Sequence, residues 1–141
     1  MKCLLDINVW LALTFSGHEH HSTAADWFDQ AADDSCAFCR MTQQGFLRLA
    51  SNPKAMLRDA LSLPKSWGGY DRLLSDPRVF FAAEAPGTED EWRALTGKES
   101  FSVKIWNDAF LSAFAKSSGL QMATFDRGFK RYPGLKLKVL G

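Results

Sequence analysis

Short apolar runs and amphipathic stretches alternate along the chain. KCLL is a brief apolar run that stops at Asp6, and VWLALTF behind it has the length and Leu/Ala content of a helix. CAFC, VFFAA, QMATF and KLKVL are four further strand candidates. The stretches between them read as helices. TAADWFDQAA has Ser22 as its candidate cap, and QQGFLRLA has Thr42 before it and Pro53 beyond it. Ser62, followed by Leu63 and Pro64, opens a helix through Tyr70 and Leu74, and Thr88 with Glu91 forms a capping box for EDEWRAL. Ser102 is placed to cap a long helix in which Trp106, Ala109, Phe110, Ala113 and Phe114 recur at core spacing up to Gly119.

Most strand pairs are thus separated by far more than a hairpin turn, which predicts an α/β fold with a mainly parallel sheet covered by helices on both faces. At 141 residues, without a repeat or a linker, the chain suits a single domain over residues 1–141. Seventeen Lys and Arg against sixteen Asp and Glu leave a net charge of +1, so any nucleic-acid site has to be local. The first apolar stretch is broken by Asp6 and Asn8, far short of the ~20 apolar residues of a membrane span, and has no signal-peptide pattern. Three cysteines, an odd number, fit a reducing cytoplasmic compartment better than a disulfide framework.

Ligands of open parallel sheets bind outside the carboxyl ends of the strands. Asp6 follows KCLL, Asp126 follows QMATF, and Asp108 sits near the start of the long helix, which begins at that same edge. Three acids distant in sequence are therefore expected at one rim. Carboxylates brought together repel unless a cation intervenes, and oxygen ligands with retained waters suit Mg²⁺ or Mn²⁺. Each acid also has a purely structural reading: Asp6 and Asp126 as helix caps or turn formers, Asp108 on a solvated helix flank.

MKCLLDINVWLAL, NDAFLSAFA and MATFDRGFKRYPGL, in this order, closely resemble the PIN-domain ribonucleases, in particular the VapC toxins of bacterial VapBC toxin-antitoxin modules. HEHHSTAADWF and TQQGFLRLASNP extend the resemblance over essentially the whole chain. It implies a PIN-like α/β/α sandwich around a five-stranded sheet, Mg²⁺-dependent endoribonuclease activity on RNA, a VapB-type antitoxin and a homodimer. The family's acids fall on Asp6, Asp108 and Asp126, and Asn8 and Thr124 match its polar positions beside them. Where many members carry a further Glu, this chain has Gln43, which can ligate a cation or a water but adds no charge. Gln43→Glu is accordingly expected to strengthen metal binding.

After Asp126 the chain holds Arg127, Lys130, Arg131, Lys136 and Lys138 and no acid, and Arg127, Lys130 and Arg131 are the candidate RNA contacts. Cys36 and Cys39 form a C-x2-C pair near His18, His20 and His21, but no second pair at zinc spacing exists, and a strand would send the two thiols to opposite faces. Trp67, Tyr70 and Trp92 are read as core. Two other functions stay open. One is a phosphohydrolase using Asp6 as nucleophile, which usually has a second Asp where Asn8 stands; the other is a PIN module that binds RNA without cleaving it.

Overall fold

The computed structural model describes residues 1–141. Five short strands, β1 (Cys3–Leu5), β2 (Cys36–Phe38), β3 (Val79–Phe81), β4 (Gln121–Thr124) and β5 (Leu137–Val139), form one parallel sheet in the order β3-β2-β1-β4-β5. Seven helices complete the chain: α1 (Ile7–Thr14), α2 (His21–Asp29), α3 (Arg40–Ala50), α4 (Pro53–Met56), α5 (Leu63–Leu74), α6 (Thr88–Thr96) and α7 (Ile105–Ser118).

Strand side chains alternate between two cores. Cys3, Leu5, Cys36, Phe38 and Ala123 enter one, with Trp10, Phe46 and Tyr70 from α1, α3 and α5. Leu4, Ala37, Cys39 and Met122 enter the other, beneath Ala109, Phe114 and Ala115 of α7. The first core is centred on Phe38, whose ring stacks on Trp10 with centroids 3.9 Å apart. Helices on both faces make this the α/β/α sandwich that the strand-helix alternation predicts.

The chain begins at the centre of the sheet, builds outward through β2 and β3, then crosses back to lay β4 on the other side of β1. Strand order reverses between β1 and β4, the place where open α/β sheets form a ligand crevice. Asp6 and Asp126 leave the sheet at these two strands.

Several caps differ from the sequence-based expectation. His20, not Ser22, precedes α2, and Ser22 lies within its first turn. Cys39 caps α3, and Thr42 stands three residues later, accepting the Cys39 N–H at 2.9 Å, so the capping residue is the partner rather than the start. Gly87, with φ of 90°, precedes α6 in a left-handed conformation, and Thr88 is its first residue. The Thr88 hydroxyl turns to Ala85 and Ser117, and Glu91 pairs with Lys116 at 2.9 Å, tying α6 to α7. Lys104 rather than Ser102 precedes α7. Of the residues read as core, Tyr70 is buried and Trp92 partly so, whereas Trp67 is 50% and Trp106 55% exposed.

Candidate active site

Asp6 directly follows β1 and caps α1: its Oδ1 accepts the Ile7 N–H at 2.8 Å. Its Oδ2 accepts the Thr124 hydroxyl at 2.7 Å. Thr124, the last residue of β4, is fully buried, and the same hydroxyl oxygen accepts the Asp126 N–H at 2.9 Å. One hydroxyl thus joins two acids that are 120 positions apart in the chain. Asp126 in turn caps the 3₁₀ turn Arg127–Arg131, accepting the Gly128 N–H at 2.7 Å. Both acids are therefore caps and members of a cluster at once, because each cap uses only part of the carboxylate.

Asp108 stands in the first turn of α7, half-buried, and its carboxylate has no hydrogen-bond donor of its own. Its pKa is raised, first by burial and also by Asp126, against the lowering effects of Lys104 and Arg131. Asp6 is 9% exposed, and burial pushes its carboxyl upward. The bonds from Thr124 and Ile7 oppose that rise, and the charges of Asp108 and Asp126 add to it. The three acids thus lie within electrostatic reach of one another. Lys104 comes within 3.8 Å of Asp126 Oδ2. It precedes Asp108 by four positions, a spacing that puts both on one helical face, and that spacing was the signal for it in the sequence.

Asn8 lies in the first turn of α1 with its Oδ1 facing the Phe125 N–H at 3.5 Å, bridging the helix to the end of β4. Gln43 is buried, but it bonds to Arg40, whose Nη1 donates to Oε1 at 2.6 Å, and not to an acid. Arg127, Lys130 and Arg131 are exposed along the turn that follows Asp126. Tyr132 ends this turn, and its buried hydroxyl has no hydrogen-bond partner. Burial, then the Asp108 charge, holds the phenol above its usual value. An isolated tyrosine beside Pro133 carried no sequence signal for this place.

The three cysteines are free and buried, with Cys36 and Cys39 in opposite cores. Burial takes the Cys36 thiol to about 11, so it is protonated and unreactive at neutral pH. The histidines organise their own loop. His20 stacks on Phe125 at 4.3 Å, its N–H bonds to His18 Nδ1, and His21 Nδ1 meets the Ala12 carbonyl.

The donor set suits a hard divalent cation. Asp6 keeps lone pairs free on both oxygens, and Asp108 has no protein donor, with Lys104 and Arg131 near enough to act on it electrostatically. No three Asp, Glu, His or Cys side chains as placed enclose an ion by themselves. That arrangement fits Mg²⁺, which keeps several waters and uses one or two carboxylates directly.

The PIN domain family model matches residues 3–135, nearly the whole chain. The chain belongs to the PIN-domain family. Within it, this PIN domain is 40% identical to Ribonuclease VapC41 of Mycobacterium tuberculosis over 142 residues, covering 97% of each chain. It is 31% identical to Ribonuclease VapC38 of the same organism, over 89% of its own length and 85% of the relative's. Among solved structures, VapC20 of M. tuberculosis, a Sarcin-Ricin loop cleaving toxin, aligns with a TM-score of 0.69 at 15% identity, covering 99% of this PIN domain and 100% of that chain. VapBC2 from Rickettsia felis, bound to a DNA fragment from its promoter, aligns with a TM-score of 0.69 at 14% identity over both full chains. At such identities the structural likeness speaks for the fold, which is the α/β PIN architecture described above.

Proposed function

We propose that this PIN domain is the toxin of a type II toxin-antitoxin module, a Mg²⁺-dependent endoribonuclease that cleaves RNA phosphodiester bonds. The observation that carries the reading is the Asp6–Thr124–Asp126 linkage at the strand-order reversal, with Asp108 beside it on α7. Identity of 40% to a named VapC ribonuclease along nearly the whole chain supports the same reaction class. Asn8 supports the site by tying α1 to the end of β4, Gln43 would reach a bound water only by giving up Arg40, and Mn²⁺ is the expected substitute ion.

Asp6, Asp108 and Asp126 would hold the ion, one or two of them directly and the rest through retained waters, and the bound ion would polarise a phosphate and make hydroxide available near neutral pH. The protein's own groups supply the rest. Thr124 fixes the Asp6 carboxylate and the Asp126 backbone through one hydroxyl, and the Gly128 N–H holds the Asp126 carboxylate, so neither acid has to reorganise on binding. Lys104 and Arg131, flanking Asp108, oppose the negative charge of an incoming phosphate. Arg127 and Lys130 extend this cationic margin along the turn that follows Asp126. The three free thiols suit the cytoplasm, and no helix is long and apolar enough to cross a membrane. A VapB-type antitoxin and a second copy of the chain are the expected protein partners.

Incubating the purified protein with single-stranded RNA in Mg²⁺, in Mn²⁺ and in excess EDTA tests this directly. Cleavage in either ion, loss in EDTA and loss in Asp6→Asn are expected. Absence of cleavage, or cleavage that survives both chelation and substitution, overturns the reading. Co-expression with the protein of the adjacent reading frame should yield a complex in which cleavage is suppressed, and full activity in that complex would count against the toxin assignment.

A further inference from the structure

The carboxyl edge of the sheet continues from the acids toward β3, and the pairing Leu4↔Ala37 and Phe38↔Phe81 places Asp6, Cys39 and Ala82 in one row across it. Over the β2 and β3 end of that row lies a cavity of about 480 Å³, a size typical of ligand sites. Its walls are aromatic. Phe81 lies on one side, and Trp92 and Phe110 stand on another, edge to face with centroids 5.1 Å apart. The Trp92 indole N–H is already committed to the Trp106 carbonyl at 3.0 Å, so this ring offers its π surface rather than a donor. Arg40 and Gln44 from α3 and Glu84 beyond β3 bring polar groups to the same cavity. The Arg40 guanidinium sits 4.9 Å from the Phe81 ring centroid and is held there by its bond to Gln43.

Phe110 is two positions from Asp108 on α7, so the helix that carries an acid also walls the cavity. Adjacent strands lie about 4.8 Å apart, which puts the cavity within roughly two strand spacings of Asp6. A cation, an amide that both donates and accepts, a carboxylate and aromatic walls are what single-stranded RNA recognition uses: stacking for the base, hydrogen bonds for its edge, and positive charge for the flanking phosphate. An apolar side chain would use the walls but not the charge of Arg40 or the amide of Gln44.

The geometry points to this cavity as a nucleobase subsite, which receives a base of the RNA strand whose phosphate lies at the acids, with Arg40 gripping the backbone beside it. This rests on the ribonuclease reading above and adds a place where base identity is sensed. Gln43 acquires a role in it, as the residue that aims Arg40 into the cavity.

Ala83 is exposed at the cavity wall, so Ala83→Trp fills it without removing core packing. The test combines it with a fluorescent single-stranded RNA in which each position in turn is made abasic. Affinity is read by anisotropy in the Asp6→Asn background, and cleavage is read in the background with Asp6 intact. Ala83→Trp should weaken binding about tenfold, the scale of one lost base-aromatic stack. One abasic position should cost the same in the Ala83 protein and nothing further in the Ala83→Trp protein, the non-additivity of groups in contact. Unchanged affinity in Ala83→Trp, or abasic losses that add to it at every position, overturns the subsite while leaving an active nuclease intact. A change of sedimentation mass or of antitoxin retention with unchanged RNA affinity also overturns it, in favour of a protein occupant. Failure of the Ala83 protein to bind or cleave any RNA overturns the subsite and the ribonuclease reading together.

Discussion

The Thr124 hydroxyl donates to Asp6 Oδ2 at 2.7 Å while accepting the Asp126 N–H at 2.9 Å, so one buried side chain sets the geometry of two acids on neighbouring strands. Thr124→Val keeps the volume but leaves an acceptor and a donor without partners, at a cost of about 1–3 kcal/mol. Metal affinity and cleavage should fall about 10- to 100-fold, as when second-sphere partners of ligands are removed. Thr124→Ser should restore most of both, measured by Mn²⁺ titration and thermal unfolding.

Asp6→Asn separates stability from activity. Burial raises the Asp6 carboxyl above its ordinary value, so the ionised form is a burden on the metal-free fold. The variant should unfold at or above the temperature of its parent while cleavage falls about 100-fold or more. Thermal unfolding without added metal, paired with an RNA cleavage assay, checks both halves; a marked drop in unfolding temperature would contradict the first.

Mild acidification should stabilise the metal-free protein. For Asp6 and Asp108, whose folded pKa values lie above the ordinary 3.8, the native state binds protons more tightly than the unfolded one. Their destabilisation is fully present above the folded values and gone below 3.8. Stability is therefore gained as falling pH passes through that window. Asp76 runs the opposite way: its bond from Arg78 holds it below 3.8, and its stabilisation disappears as pH falls through that depressed value. Thermal unfolding across the pH range should show a stability maximum on the acidic side of neutrality, flattened in Asp6→Asn and abolished by saturating Mg²⁺, which favours the ionised acids.

Gln43→Glu meets Arg40 before it meets the ion. Because Arg40 Nη1 already bonds Gln43 Oε1 at 2.6 Å, the new carboxylate would pair with the guanidinium, and metal affinity should change less than about tenfold. In the Arg40→Met background the same substitution should raise Mn²⁺ affinity measurably. Equal titration curves for the Arg40→Met protein with and without Gln43→Glu would place this side chain outside the metal's field.

Gly45 sets how closely α3 approaches the first turn of α1. A Cβ at this position would collide with Ile7 Cδ1 and lie 2.9 Å from Ile7 Cγ1, directly beside the Asp6 cap. Gly45→Ala should destabilise the protein by about 1–3 kcal/mol and lower cleavage, and Ile7→Ala should recover much of both. Denaturant unfolding of the two single variants and the double variant shows whether the pair is coupled.

All five strands and the parallel architecture were legible from the sequence, because helix-length segments between apolar runs leave a parallel sheet few alternatives. The three acids were legible for a related reason: residues just after strands and at the start of a crossover helix share one edge whatever the strand order. Caps were read less well. Ser22, Thr88 and Ser102 each have capping chemistry, yet His20, Gly87 and Lys104 precede the helices, since the path of the loop selects the cap. Only the tertiary structure decided the rest. Strand order depends on which faces pack, and it is this order that sets Thr124 between Asp6 and Asp126. The Arg40–Gln43 contact is an i,i+3 pair on α3 and so was open to the sequence, but Phe81, Trp92 and Phe110 could not be seen to wall a common cavity, because they come from three separate elements whose spacing carries no periodic signal. Sequence determined which residues reach the edge of the sheet; packing determined which of them touch.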